Sequence, residues 1–171
     1  MLQVHWNPVH PRYKHQLRIG NTLFLGVFVL SALAAAIWVD PIPTWIPLTI
    51  AGVICLLWLL LFIFWAPARA RVTRYALADD MVMFQVGALW HRETAVTHNR
   101  LQHIEIERGP VERMLGISRL KLYTAGGISS DLTIPGLAIA DSERIRDTLI
   151  AIIQEEHLLD EAITSVSEQG E

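Results

Sequence analysis

Two long apolar runs dominate the first third of the chain. Leu23 to Val39 and Trp45 to Trp65 contain no charged residue. A bilayer core about 30 Å thick calls for roughly 20 helical residues at about 1.5 Å each. The second run meets that length, and the first meets it once residues 19–22 are added. The predicted spans are therefore 19–39 and 45–65, joined by Asp40, Pro41, Ile42, Pro43 and Thr44. The prolines stop the first helix, Thr44 serves as N-cap of the second, and Pro47 falls in its first turn. Small residues, Ser31, Ala32, Ala35 and Ala36 facing Ala51, Gly52 and Cys55, suit close helix packing.

After Arg71 the period changes. Short segments rich in β-branched and aromatic residues, 71–77, 81–86 and 89–96, are punctuated by Ala78-Asp79-Asp80 and Gly87, as in an antiparallel meander. In 102–107 the isoleucines Ile104 and Ile106 alternate with Glu105 and Glu107, a strand with one wet face. By the same parity Gln102 points inward. Pro110 to Leu115, between Gly109 and Gly116, reads as a short helix. Strands at 118–124 and 131–135 follow, joined by the turn Ala125-Gly126-Gly127. Asp141 is placed as an N-cap, and Ile145, Leu149, Ile152 and Ile153 form one helical stripe. The acidic end beyond Leu159 is expected to fray.

The fold class is thus a two-helix transmembrane hairpin followed by an α+β domain, an antiparallel sandwich or open barrel capped by a C-terminal helix. The divisions are a juxtamembrane segment (1–18), the hairpin (19–65), the domain (70–157) and an acidic flexible tail (158–171). Residues 66–70 form a short linker that holds the domain against the headgroups.

Charge adds an orientation. Arg12, Lys14 and Arg18 precede the first run, Arg69, Arg71 and Arg74 follow the second, and the loop between has no basic residue. By the positive-inside rule both flanks and both termini are cytoplasmic, in a multi-pass protein of the inner membrane. Trp38, Trp45 and Trp65 mark the interfaces. The competing reading is a cleaved signal peptide, because Ala34-Ala35-Ala36 fits a cleavage pattern. A mature N-terminus at Ile37 would establish it. The apolar run continues past the alanines, and a dozen residues precede the basic group, which favours the anchor.

The net charge of −3 arises from the tail: from Glu155 on there are six acidic residues and no Lys or Arg. No concentrated basic stripe suggests nucleic acid. The lone Cys55 excludes an intrachain disulfide and reads as packing between helices. His5, His10 and His15 are evenly spaced, but a five-residue interval does not share a helical face and Pro8 and Pro11 intervene, so a segment lying at the headgroups is the simpler account.

Catalytic signatures are missing from the sequence. His91, His98 and His103 lie on or beside strands without a nucleophile motif. Gly126-Gly127 lacks the following Lys of a phosphate loop, and CxxC and HExxH do not occur. Neither apolar run carries the intramembrane charge that transport would need. A non-enzymatic protein without cofactor or metal is expected. Six residues are singled out. Arg100, Gln102 and Arg113 are candidates for an interaction or structural motif, with Gln102 tying neighbouring backbone and the arginines meeting carbonyls or Glu112. Arg69, Arg71 and Arg74 are candidates to face lipid, or simply to set topology.

The residues Arg74-Tyr75-Ala76-Leu77, Gly87, Arg100-Leu101-Gln102-His103-Ile104 and Gly109-Pro110-Val111-Glu112-Arg113-Met114-Leu115-Gly116 resemble the bacterial pleckstrin-homology (PH) domain of the YdbS-like membrane proteins. The resemblance covers 70–155 and includes the two-helix anchor. It implies a PH-like sandwich capped by a helix, no enzymatic activity, and assembly with another membrane protein, such as a relative carrying several PH domains, or with itself. One departure matters: the first strand–loop–strand of inositide-gripping PH domains is basic, whereas here it is Ala78-Asp79-Asp80. Two functions follow as expectations: a protein-interaction or assembly module at the cytoplasmic face, or a sensor of anionic lipid headgroups.

Overall fold

The computed structural model describes residues 5–38, 43–78, 80–124 and 132–168, with side chains described as far as 155. Helix α1 (Tyr13–Trp38) and helix α2 (Trp45–Val72) lie side by side and are both long and apolar enough to cross a membrane. Their apolar side chains, among them Phe24, Val27, Leu30, Val53 and Leu56, are exposed rather than packed in a core. At the seam the small Ala51 is buried, Trp58 Nε1 donates to Thr22 Oγ1 across it at 2.9 Å, and Cys55, expected between the helices, is exposed instead. Thr44 precedes α2 but makes no side-chain cap bond. The loop Asp40-Pro41-Ile42 lies outside the described residues, as do Asp79, the Ala125-Gly126-Gly127 turn and Asp131.

The expected linker at 66–70 is helix instead. α2 runs unbroken to Val72, since Ala66-Pro67-Ala68-Arg69-Ala70-Arg71-Val72 is rich in helix formers and its proline falls at a distorted turn. That distortion is a π-helical turn at Leu61–Trp65, where Ala66 N–H reaches back to Leu61 O. In a regular helix the Pro67 ring would strike the carbonyl four residues earlier, and the wider turn relieves this. Phe62 O is then left without a backbone donor, because Pro67 has no N–H to offer. Arg18 of α1 fills the gap: its Nε donates to Phe62 O at 3.1 Å, and its guanidinium lies 4.5 Å from the centre of the Phe62 ring.

Strands β1 (Asn7–Pro8), β2 (Arg74–Leu77), β3 (Met81–Val86) and β4 (Arg92–Thr97) form one antiparallel sheet in that order. Strands β5 (Leu101–Glu107), β6 (Ile117–Thr124) and β7 (Leu132–Ala138) form the second. Helix α3 (Pro110–Leu115) joins β5 to β6, with Gly116 at its end where the sequence places it, and helix α4 (Ile139–Glu168) closes the domain. The core is Tyr75, Val82, Phe84 and Val96 of one sheet, Leu101, Leu120, Leu122, Leu132, Ile134 and Leu137 of the other, and Ile145 and Leu149 of α4.

α4 begins at Ile139, so Asp141 sits in its first turn rather than at the cap, and Ser142 Oγ donates to Ile139 O. The Ser142 and Ser118 hydroxyls, both buried, share a 2.8 Å hydrogen bond that fixes the helix start on β6. The α4 backbone stays helical to Glu168, past the expected fray; neither Gly nor Pro interrupts 139–168.

The first segment is also different from expectation. Residues 5–12 do not simply lie at the headgroups: Asn7 and Pro8 pair with Tyr75 and Arg74, adding a fourth strand to the sheet, and Val9 and Tyr13 are buried. The strands flanking the hairpin are therefore neighbours in one sheet, on one side of the two helices.

Candidate membrane-facing site

Where α1 leaves the domain, it is fastened by a series of long-range bonds. His10 N–H donates to Gly136 O at 2.7 Å. The Tyr13 ring then lies directly on Gly136, whose φ of +69° suits glycine and whose missing Cβ would fall 2.6 Å from the ring. Arg12 NH1 donates to Leu115 O, one of the carbonyls left open at the end of α3, at 2.9 Å. Gln16 Nε2 donates to Glu112 Oε1 at 2.9 Å.

Glu112 is the centre of this junction. It sits in the first turn of α3 and is 1% exposed. Its Oε2 accepts the Gly109 N–H at 2.6 Å, capping the helix, and its Oε1 accepts Arg119 Nε at 2.8 Å as well as Gln16. Three donors from three segments surround one buried carboxylate, which is what a charge inside a fold requires. The bond to Glu112 in turn holds the Arg119 guanidinium above its usual pKa. A cleft of about 360 Å³ opens beside it, lined by Gln16, Gly20, Asn21, Pro110, Glu112 and Arg119 among others.

The second junction, where α2 enters the domain, treats its arginines differently. Arg69 turns inward: its guanidinium lies 5.1 Å from the Trp65 ring centre, and its carbonyl accepts both Thr73 N–H and Thr73 Oγ1. Arg71 and Arg74 are exposed. Together with Lys14 and His10 they line a groove of about 500 Å³ between the N-terminal segment and the end of α2. No acidic residue lines it. Of the three arginines considered for lipid, two thus share one groove and the third packs on an aromatic ring.

The other three candidates do not come together. Gln102 is exposed, not inward: a bulge between Leu101 and His103 inserts an extra residue, so Leu101 and Ile104 both face the core while Gln102 and His103 both face out. Simple alternation misses such a slip. Arg113 is exposed on α3, and the partners of Glu112 are Arg119 and Gln16 rather than Arg113 or Arg100. Arg100 is exposed and borders a cleft of about 450 Å³ between β4 and Thr124 of β6. Of the histidines, His91 and His103 are exposed, but His98 is buried with neither ring nitrogen hydrogen-bonded. Among the described residues no three His, Cys, Asp or Glu side chains are placed to hold a metal.

Sequence reasoning missed Lys14 as a groove residue and Tyr13, Gln16, Arg119 and Gly136 as fastenings, and it gave Glu112 other partners than the ones it has. One signal was available: Gly-Pro-x-Glu places a carboxylate three residues after a helix cap, the spacing of a capping box.

Two apolar helices in front of a sheet pair closed by a C-terminal helix define a membrane-hairpin protein with a PH-like domain. The family model for the bacterial PH domain matches residues 23–152, and the chain belongs to that family. It is 26% identical over 153 residues to the UPF0699 transmembrane protein YdbS of Bacillus subtilis (strain 168), covering 84% of this chain and 89% of that one. A solved structure of a DUF1696 family protein with a pleckstrin-homology domain, from Shewanella loihica PV-4, is similar at 15% identity and a TM-score of 0.36 over 48% of this chain and 75% of the other.

Proposed function

We propose that the protein is a non-enzymatic, multi-pass anchor of the inner membrane that holds a PH-like domain at the cytoplasmic face, where its basic groove takes the headgroup of an anionic phospholipid. The single observation that carries this reading is the groove itself. Lys14, Arg71 and Arg74 converge from both junctions, at the level where the helices leave the lipid, with no carboxylate in the lining to neutralise them. Each basic residue near an anionic surface contributes about 1 kcal/mol. The acidic β2–β3 turn, with Asp80 exposed, lies at the other end of β2 and supports a headgroup site distinct from the inositide type.

The test uses the full chain in mild detergent with short-chain phosphatidylglycerol as probe. The double variant Arg71→Ala/Arg74→Ala should bind it roughly thirtyfold more weakly, the loss expected for two cations at about 1 kcal/mol each. Binding of the unaltered chain should fall with added salt. Equal binding of phosphatidylglycerol and phosphatidylcholine would overturn the reading.

A second reading, docking of another membrane protein or a second copy of the chain, is favoured by a different observation. Among the described residues β4 pairs within its sheet only with β3, which leaves its outer edge beside the cleft that Arg100 borders. An extended segment could add there as a further strand. A photo-crosslinker in place of the exposed Ala95 should trap a stoichiometric partner in native membranes; only monomer after irradiation would sink this reading.

A further inference from the structure

Leu89 and Trp90 form the tip of the β3–β4 connection and are the most solvent-exposed pair of apolar neighbours in the domain, at 83% and 87%. Their prominence is built in. Gly87 sits so close to the turn that a Cβ there would fall 2.1 Å from Trp90 O, so the backbone folds tightly and leaves both side chains projecting. The strand pairing says where the tip lies. α2 ends at Val72 and β2 starts at Arg74, which pairs with Gln85; Val86 pairs with Arg92. Residues 87–91 therefore emerge at the end of the sheet where the helix enters, and the last turns of α2 touch β3 directly. The Ala78–Asp80 turn lies at the opposite end of the same strands.

We infer that the Leu89–Trp90 tip dips into the interface of the same bilayer that α1 and α2 span, giving the domain a third point of membrane contact. The inference rests on the spanning role of the two helices but not on headgroup capture in the groove. The chemistry fits lipid: a leucine and an indole, amphipathic enough for the headgroup boundary, are followed by exposed His91 and Arg92 that would stand at the phosphates. The tip lies at the end of the sheet where α2 enters, the end that faces the spans.

The experiment uses the full chain in phosphatidylcholine vesicles whose acyl chains carry bromine, with an environment-sensitive fluorophore as reporter. Labelled at its single cysteine, Cys55, the chain reports the span. On a Cys55→Ser background, Ala88→Cys reports the tip and Asp80→Cys the opposite end. The label at position 88 should be quenched by bromines near the headgroups by roughly twofold or more, as expected for an interfacial site. The label at position 80 should stay unquenched, and added salt should change neither. Adding Leu89→Asp and Trp90→Asp should abolish quenching at position 88; both side chains are exposed, so the fold survives the change. Quenching at Cys55 with water-like emission at position 88 overturns the inference and leaves the span intact. Loss of quenching at Cys55 as well removes both. Shielding of position 88 in native membranes alone would mean that a protein covers the tip, and would also overturn it.

Discussion

The two junctions between helix and domain carry similar charge in the sequence and use it in different ways. At the first, Arg12 and Arg18 are committed to carbonyls of the protein itself, Leu115 O and Phe62 O. At the second, only Arg69 is drawn inward, while Arg71 and Arg74 remain available at the surface. Cations that look alike as topology signals thus divide into fasteners and a binding surface. What divides them is backbone: the open end of α3 and the π-helical turn of α2 present carbonyls within reach of Arg12 and Arg18, whereas Thr73 already satisfies the Arg69 carbonyl beside Arg71 and Arg74.

Four variants or conditions, measured by unfolding of the full chain in mild detergent, break or sharpen that contrast. Glu112→Ala should do most damage, because it strips Arg119, Gln16 and the Gly109 N–H of their acceptor at once. A loss of about 3 kcal/mol is expected, the low end for a broken buried pair, since Arg119 keeps some access to water. Gly136→Ala should cost about 2–3 kcal/mol, combining a left-handed backbone with a Cβ driven into Tyr13. A stability unchanged by it would mean that Tyr13 is not docked there. Arg18→Ala leaves Phe62 O unpaired and should cost about 1–2 kcal/mol, whereas Arg71→Ala should leave unfolding unaltered. If the two behaved alike, the division between fasteners and surface would fail.

The smallest effect lies away from both junctions. Lys121 Nζ stands 2.6 Å from Glu107 Oε2 across β5 and β6. Hydrogen bonding to Lys121 lowers the Glu107 pKa, and the same bond raises that of Lys121. The contribution of Glu107 is therefore full above the ordinary carboxylate pKa and lost as pH falls through its lowered folded value. That of Lys121 is full below the ordinary lysine pKa and lost as pH rises through its raised one. Lys121→Ala should flatten the acid limb of the stability curve slightly and leave Glu112-dependent stability untouched; an unchanged acid limb would show the surface pair to be idle.

Much of the architecture was legible because it depends on local pattern. Charge-free runs mark α1 and α2, alternation marks β6 and β7, and the Ile145–Leu149 stripe marks α4. What escaped depends on distance or on single-residue slips. β1 is an Asn-Pro dipeptide with no strand pattern, and it becomes a strand only because β2 offers an edge 66 residues later, from Pro8 to Arg74. The bulge at Leu101–His103 reverses Gln102 without altering composition. The groove needs Lys14 and Arg74 side by side, a proximity created by that same β1–β2 pairing. Glu112 gave a local cap signal, but its partners Gln16 and Arg119 come from elements that only the fold brings together.

That pairing has a consequence for how the protein is made. A ribosome releases β1 first, then both membrane helices, and only afterwards the strand that β1 must join. With both helices spanning as proposed, the sheet can be completed only if the second helix brings the chain back across the bilayer. A product in which one helix failed to insert would have its two strands on opposite sides, with Tyr13 and Gly136 unable to meet. On the proposed spanning of both helices, closure of the domain thus reports correct insertion, because a half-inserted chain would be left with an unfinished sheet edge.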